Sequence, residues 1–221
     1  LAQRAGLRVE FMASTGRAAK VLSASTGRPA LTIHRTIYRA STQMQEEGGS
    51  FQLGRVSGAT PTLFIVDEAS MISGDTGEMT PFGSGNLLDD LLSYVWSADE
   101  AKLIFVGDTA QLPPVGTPLS DALNAEVLTS RYGLHVYGME LREVVRQKRG
   151  GILHNATQLR ELLDEYADED PEEILPIHLE TEGWRGIFPV EGGTFIETLD
   201  EAYRKYGEEE CLVICPSNKL A

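Results

Sequence analysis

An α/β fold with a parallel sheet flanked by helices is predicted by three features of this 221-residue sequence. Two short apolar runs, "TLFIVD" at 62–67 and "KLIFVGD" at 102–108, have the continuous character of strands covered on both faces. Between them lies the amphipathic stretch "NLLDDLLSYVW", and a helix joining two such strands makes a right-handed parallel crossover the expected topology. The same strand-then-helix rhythm opens the chain.

"LRVEFMA" (7–13) predicts a strand, "GRAAKVLSAS" (16–25) a helix and "TIHRTIYRA" (32–40) a short helix, with Gly27 and Pro29 as punctuation. Residues 41–60 lack a helical period, and Glu46-Glu47-Gly48-Gly49 at their centre predicts an exposed, inserted β-hairpin. The Gly-rich loop "SGDTGEMTPFGSG" follows the 62–67 strand. Beyond the second apolar strand, "LHVYGMEL" predicts another strand and "GGILHNATQLRELLDEY" another helix. Acidic, Pro- and Gly-containing sequence at 168–194 predicts a linker, followed by a helix at 195–206 and a strand in "CLVIC". The expected organisation is therefore a first domain over 1–167, the linker, and the beginning of a second domain at 195–221.

The net charge of −14 argues against nucleic acid only as a sum. Residues 1–40 carry Arg4, Arg8, Arg17, Lys20, Arg28, Arg35 and Arg39 against Glu10 alone. Residues 161–210 hold seventeen acidic side chains against three basic ones, a pattern of solvated surface or linker. A basic N-terminal third is thus free to face a polyanion. No apolar run reaches membrane-spanning length and the first residues lack a signal-peptide pattern, so a cytoplasmic location without membrane association is expected. Cys211 and Cys215 have no partner at metal-ligand spacing and are expected to be buried free thiols.

Two places carry chemistry. In "LFIVDEASMI" the carboxylates Asp67 and Glu68 emerge where a buried strand ends, the usual position of a ligand crevice in α/β sheets. Asp67 is suited to hold Mg²⁺ through its water shell, and Glu68 to orient or deprotonate a water. A lone Asp-Glu pair is a weak signal. In "LIFVGDTAQLPPVG", Gly107 permits close approach at a strand end, Asp108 adds a carboxylate, and the Gln111 amide can bond a phosphate oxygen and a water together.

The segments "MASTGRAAKVLSASTGRPALTIHRTIY", "FIVDEASMI", "LIFVGDTAQLPPVG" and "ELREVVRQ", in that order, resemble the motor region of RecD-like and Dda-like superfamily 1 helicases. The resemblance is dense over 1 to about 160 and implies a partial RecA-like P-loop NTPase fold, with ATP and Mg²⁺ as cofactors and single-stranded DNA as partner. It assigns Asp67 and Glu68 to the Walker B pair, Gly107 and Asp108 to nucleotide binding, Gln111 to γ-phosphate sensing and Arg146 to the transition-state charge. A solvated basic helix end, with Arg142, Lys148 and Arg149 as neighbours, is the competing reading of Arg146. Ser14, Thr15, Gly16, Arg17, Thr32, His34 and Arg35 correspond to the segments that grip a single strand. The 41–60 hairpin takes the place of the family's strand-separating pin. The resemblance further implies 5′→3′ movement, a place in DNA repair or recombination, other repair proteins as partners, and kinship with RecD-type exodeoxyribonuclease subunits. DNA versus RNA, nuclease association and oligomeric state are not readable from these residues, and His135, His154 and His178 have no assigned role.

The chain departs from the family pattern in its lysines. Lys20, Lys102, Lys148, Lys205 and Lys219 are never followed by Ser or Thr, so a G-x-x-x-x-G-K-[ST] loop is missing from these residues. The expectation is that the sequence starts just downstream of that loop and that the piece as given is inactive as an ATPase. A non-catalytic module of the same fold that binds single strands is the alternative.

Overall fold

The computed structural model describes residues 4, 6–40, 51–72, 74, 81–114, 116–117, 119–143, 145, 150–166 and 177–215. By packing, the chain falls into two compact units, 1–140 and 141–221. Spatial compactness is a different criterion from the sequence division at 167.

The first unit is organised by a four-stranded parallel sheet in the order β2-β1-β5-β6, formed by β1 (Arg8–Ala13), β2 (Ala30–Thr32), β5 (Thr62–Asp67) and β6 (Lys102–Phe105). β1 is followed by α1 (Gly16–Thr26), which starts on the N-cap Thr15 and stops at Gly27. There the backbone turns left-handed at φ 64°, a conformation glycine adopts without a Cβ penalty. The chain then returns as β2, a strand the sequence reading does not anticipate. Its three residues are too few to show a period.

Residues 32–40, expected as one short helix, divide differently. Helix α2 covers Ile33–Ile37, and Tyr38–Ala40 forms β3, antiparallel to β4 (Phe51–Leu53). The helix is nucleated by the Thr32 cap and anchored by the buried Ile33 and Ile37, while "YRA" is drawn out of the helix by pairing with β4. β3 and β4 pair antiparallel, so the ribbon starts at 38, earlier than the hairpin expected over 41–60; residues 41–50 lie outside the described set.

Strand β5 buries Thr62, Phe64 and Val66 on one face and leaves Leu63 and Ile65 half-buried. The buried face packs with Met12, Ile33, Ile37, Ile72 and the apolar side of α3 (Leu87–Val95), notably Leu88, Leu91, Leu92 and Val95. Asn86 caps α3 by accepting from the Asp89 amide at 3.0 Å. β6 ends the sheet, and on this outer strand Ile104 stays 45% exposed. A short helix, α4 (Ala125–Ser130), completes the first unit.

Residues 134–141 form no strand. The alternation that suggested one survives as exposed side chains, Tyr137 at 97% and Met139 at 90%. Strand geometry requires a neighbour for its backbone groups, and no described strand pairs with this segment.

The second unit contains α5 (Gly151–Glu165) and α6 (Phe195–Tyr206), both as expected from their periodicity. The Asn155 side chain accepts from the Glu180 amide at 2.7 Å and donates to the Glu180 carbonyl at 2.9 Å, holding the 177–188 segment on α5. His154 joins this attachment, 2.9 Å from Glu180 Oε2 and beside the Trp184 ring. "CLVIC" does not pair as a strand, and Cys211 and Cys215, neither of them in a disulfide, are half-exposed rather than buried, because no described sheet covers them.

Candidate functional site

The parallel register brings the carboxyl ends of four strands level with one another. Ala13 lies opposite both Thr32 and Asp67, and Val66 lies opposite Phe105. One sheet edge therefore presents Ser14-Thr15 after β1, Thr32 at the end of β2, Asp67-Glu68 at the end of β5 and Gly107-Asp108 just beyond β6. The Ser14 amide donates to the Asp67 carbonyl at 3.3 Å. The sheet thus gathers residues separated by nearly a hundred positions in sequence.

Asp67 and Glu68 are both half-buried, and the Glu68 amide donates to Asp67 Oδ1 at 3.0 Å. Glu68 has φ 54° and ψ 44°, the left-handed region, which costs a non-glycine residue on the order of 1–2 kcal/mol. Left-handed non-glycine residues cluster at functional sites. The turn is clamped from outside. Ala69 N donates to Val106 O at 2.9 Å, and Ser120 Oγ, itself buried, stands 2.9 Å from the carbonyls of Ala69 and Ile72. Ser120 was not visible as a supporting residue, because its partners lie some fifty positions away in sequence.

Gly107 is needed by packing. A Cβ there would stand 2.8 Å from Leu123 Cδ1 and 3.0 Å from Ser70 N. Asp108 Oδ1 accepts from Ala110 N at 3.0 Å, and Asp108 O accepts from Gln111 N at 3.1 Å. This compact turn leaves the Gln111 side chain exposed. Arg146 lies outside the described residues.

Two buried hydroxyls in this region, Ser14 Oγ and Ser70 Oγ, have no hydrogen-bond partner among the described residues. Among the described residues there is no group of three or more His, Cys, Asp or Glu suited to a metal. The Asp67 and Glu68 carboxylates at the strand end are hard oxygen donors of the kind that hold Mg²⁺ together with waters and substrate phosphates.

The strand-end threonines are helix caps. Thr15 Oγ1 accepts from Ala18 N and Thr32 Oγ1 from Arg35 N, each at 3.2 Å. Gly16, Arg17 and Arg35 are exposed, and a Cβ on Gly16 would meet nothing within 4 Å, so this helix start is open to a ligand. Not every cation of the N-terminal third is free for a polyanion. Arg39 folds its guanidinium onto the carbonyls of Thr36 and Tyr38, both at 2.8 Å, and Arg8 pairs with Glu10 at 2.8 Å.

His34 is half-buried between Tyr38 and Phe82, with ring centroids at 5.6 and 5.1 Å. Burial lowers its pKa below the ordinary histidine value. The unfolded chain consequently binds a proton that the folded chain resists as pH falls through about 6.5. The stability linked to His34 is complete above that pH and lost below it. Denaturant titrations at pH 7.5 and 5.5 are expected to show a larger drop for the wild type than for His34→Phe.

The family model described as "AAA domain" matches residues 1–175, which takes in all four strand ends. The chain belongs to the AAA domain family. Over 154 residues it is also 33% identical to the ATP-dependent RecD2 DNA helicase of Deinococcus radiodurans, an alignment covering 70% of this chain and 19% of that protein. The chain spans about a fifth of the length of this relative. The resemblance to RecD-like helicases and the partial RecA-like fold are both borne out. In this AAA domain the parallel sheet carries the Asp67-Glu68 pair at the strand end where the motifs put it. Among the described residues no helix is long and apolar enough to cross a membrane.

Proposed function

We propose that this chain forms part of an ATP-driven motor that moves along single-stranded DNA, with the sheet edge supplying half of the hydrolytic site and the first strand-helix turn gripping the strand. The observation that carries this reading is the alignment of Thr15, Thr32, Asp67 and the Gly107 turn along one edge of a single sheet. Asp67 would hold Mg²⁺, which when bound offsets the charge of the ATP phosphates. Glu68 orients the attacking water and accepts its proton, Gln111 bonds the terminal phosphate and that water, and Arg146 balances the transition-state charge. Phosphates of the strand are held by Ser14, Thr15, the Gly16 region and Arg17 on one side and by Thr32 and Arg35 on the other. His34, kept neutral by burial, offers a ring or a hydrogen bond rather than a charge.

We extend the same reading to a first motor domain over 1–167, an acidic linker and the opening of a second motor domain, in a cytoplasmic protein of DNA repair moving 5′→3′. These finer points rest on the resemblance to RecD-like helicases. A module that binds single strands without hydrolysing ATP is the second reading, favoured by the lack of a Gly-Lys-Ser/Thr sequence in these residues. For the motor reading, the purified chain is expected to show no Mg-ATP turnover above background, because the phosphate cradle is not among its residues. Turnover that Glu68→Gln abolishes would overturn that expectation.

A further inference from the structure

The last turn of α3 and the chain that follows β4 enclose a cleft of about 620 Å³, lined by Leu53, Gly54, Arg55, Ser93, Trp96 and Ser97. Its walls are tied at two points. Val56 N donates to Ser97 Oγ at 2.9 Å, which bonds the chain after β4 to the end of α3, and Gly54 N donates to Ile37 O at 2.7 Å, which bonds it to α2. A Cβ on Gly54 would stand 3.1 Å from that Ile37 carbonyl, so the glycine lets the wall sit close. Ser97 Oγ is consumed by this arrangement, since it also donates to Tyr94 O at 2.6 Å. α3 leads directly to Lys102, which starts β6 level with Leu63 at the beginning of β5. The cleft thus lies toward the sheet edge where the strands begin, at the other end of β5 from Asp67, and a strand of that length spans roughly 17–20 Å.

Three side chains of the lining can meet a ligand: the Trp96 indole, which is 45% exposed, the exposed Arg55 guanidinium, and the exposed Ser93 hydroxyl one helical turn before Trp96. Arg55 forms no ion pair with a described residue, no described cation lies over the Trp96 ring, and no carboxylate lines the cleft. A flat aromatic face beside a cation and a hydroxyl matches a base, its phosphate and its sugar. An apolar ligand would cover Arg55 without pairing it, and a bare phosphate would leave the indole face in water. We propose that this cleft is a nucleotide site separate from the strand-end site, in which a base stacks on Trp96 and its phosphate pairs with Arg55. The nucleotide is either free or one unit of a strand, since the chemistry recognised is the same. The cleft shares no residue with the strand-end site, so this proposal stands or falls apart from the motor reading.

AMP, adenosine, inorganic phosphate and oligo(dA) titrated into the Trp184→Phe chain, in which Trp96 is the one tryptophan left, test it by fluorescence. Saturable quenching of Trp96 by the nucleotide is expected, with adenosine about fivefold weaker than AMP, the scale of one exposed ion pair, and inorganic phosphate without effect. Adding Arg55→Ala is expected to bring AMP down to the level of adenosine and to leave adenosine unchanged. Oligo(dA) that quenches at or below the nucleotide concentration needed with AMP identifies the source as a strand. AMP that quenches where oligo(dA) does not identifies it as a free nucleotide. Either result upholds the site. Should Trp184→Phe fail to fold, equilibrium dialysis of AMP against the wild type and Trp96→Ala decides alone, with an expected loss of about tenfold in the variant. Equal binding by those two proteins overturns the proposal. So does an absence of saturable quenching by both AMP and oligo(dA) up to millimolar concentrations, or an affinity that Arg55→Ala leaves unchanged.

Discussion

Replacing Phe64 by alanine is expected to destabilise the first unit by about 3–5 kcal/mol. Phe64 is fully buried at the centre of β5, between Thr62 and Val66 on the same face, and meets the Tyr94 ring edge-to-face at 6.2 Å. The cavity left behind is walled by β1 and β6, which cannot move inward without breaking ladder bonds, and by the side chains of α3. Against a typical total stability of about 5–15 kcal/mol, the loss is enough to threaten the fold that holds Asp67 three residues further along the strand. Guanidinium titration followed by helix signal checks this. Ile104→Ala, at a half-exposed site on the outer strand of the same sheet, serves as the contrast and is expected to cost less than about 1 kcal/mol.

Gly107→Ala is expected to cost about 1–3 kcal/mol, although it adds one methyl group at an exposed position. Leu123 can rotate away from the new Cβ. The Ser70 amide cannot, because it belongs to the Ala69–Met71 turn, which is bonded to Val106 and held by Ser120. Relief comes only by shifting that turn, and Glu68 immediately precedes it. The same denaturation measurement decides between two roles for this glycine. A loss below about 0.5 kcal/mol would assign Gly107 to ligand access rather than packing.

Long, periodic stretches were legible in the sequence. The α3 pattern, the Gly27 stop after α1, and the apolar run ending in Asp67 each carry their own local signal, and the structure has them within a residue or two. The misses share a cause: their outcome depends on partners distant in sequence. β2 and β3 are three-residue strands defined by pairing with β1 and β4. Residues 134–141 have the alternation of a strand without a described neighbour to pair with. At the site, the basic count overstated the free charge, since Arg39 is turned onto the carbonyls at the end of α2. The left-handed Glu68 and the Ser120 clamp leave no trace in residue spacing.

The proposed grip on single-stranded DNA is tested most directly by the salt dependence of binding. Labelled oligo(dT) is titrated with the wild-type chain and with Arg17→Glu/Arg35→Glu across a range of salt. Both arginines are exposed where the α1 and α2 segments start at the sheet edge. Each phosphate contact to a single strand contributes about 0.7 to the slope of log affinity against log salt. The account predicts saturable, steeply salt-dependent binding by the wild type. For the folded double variant it predicts a slope shallower by about 1.4 and an affinity at low salt reduced at least about tenfold. Equal affinity and equal slope for the two proteins would contradict it.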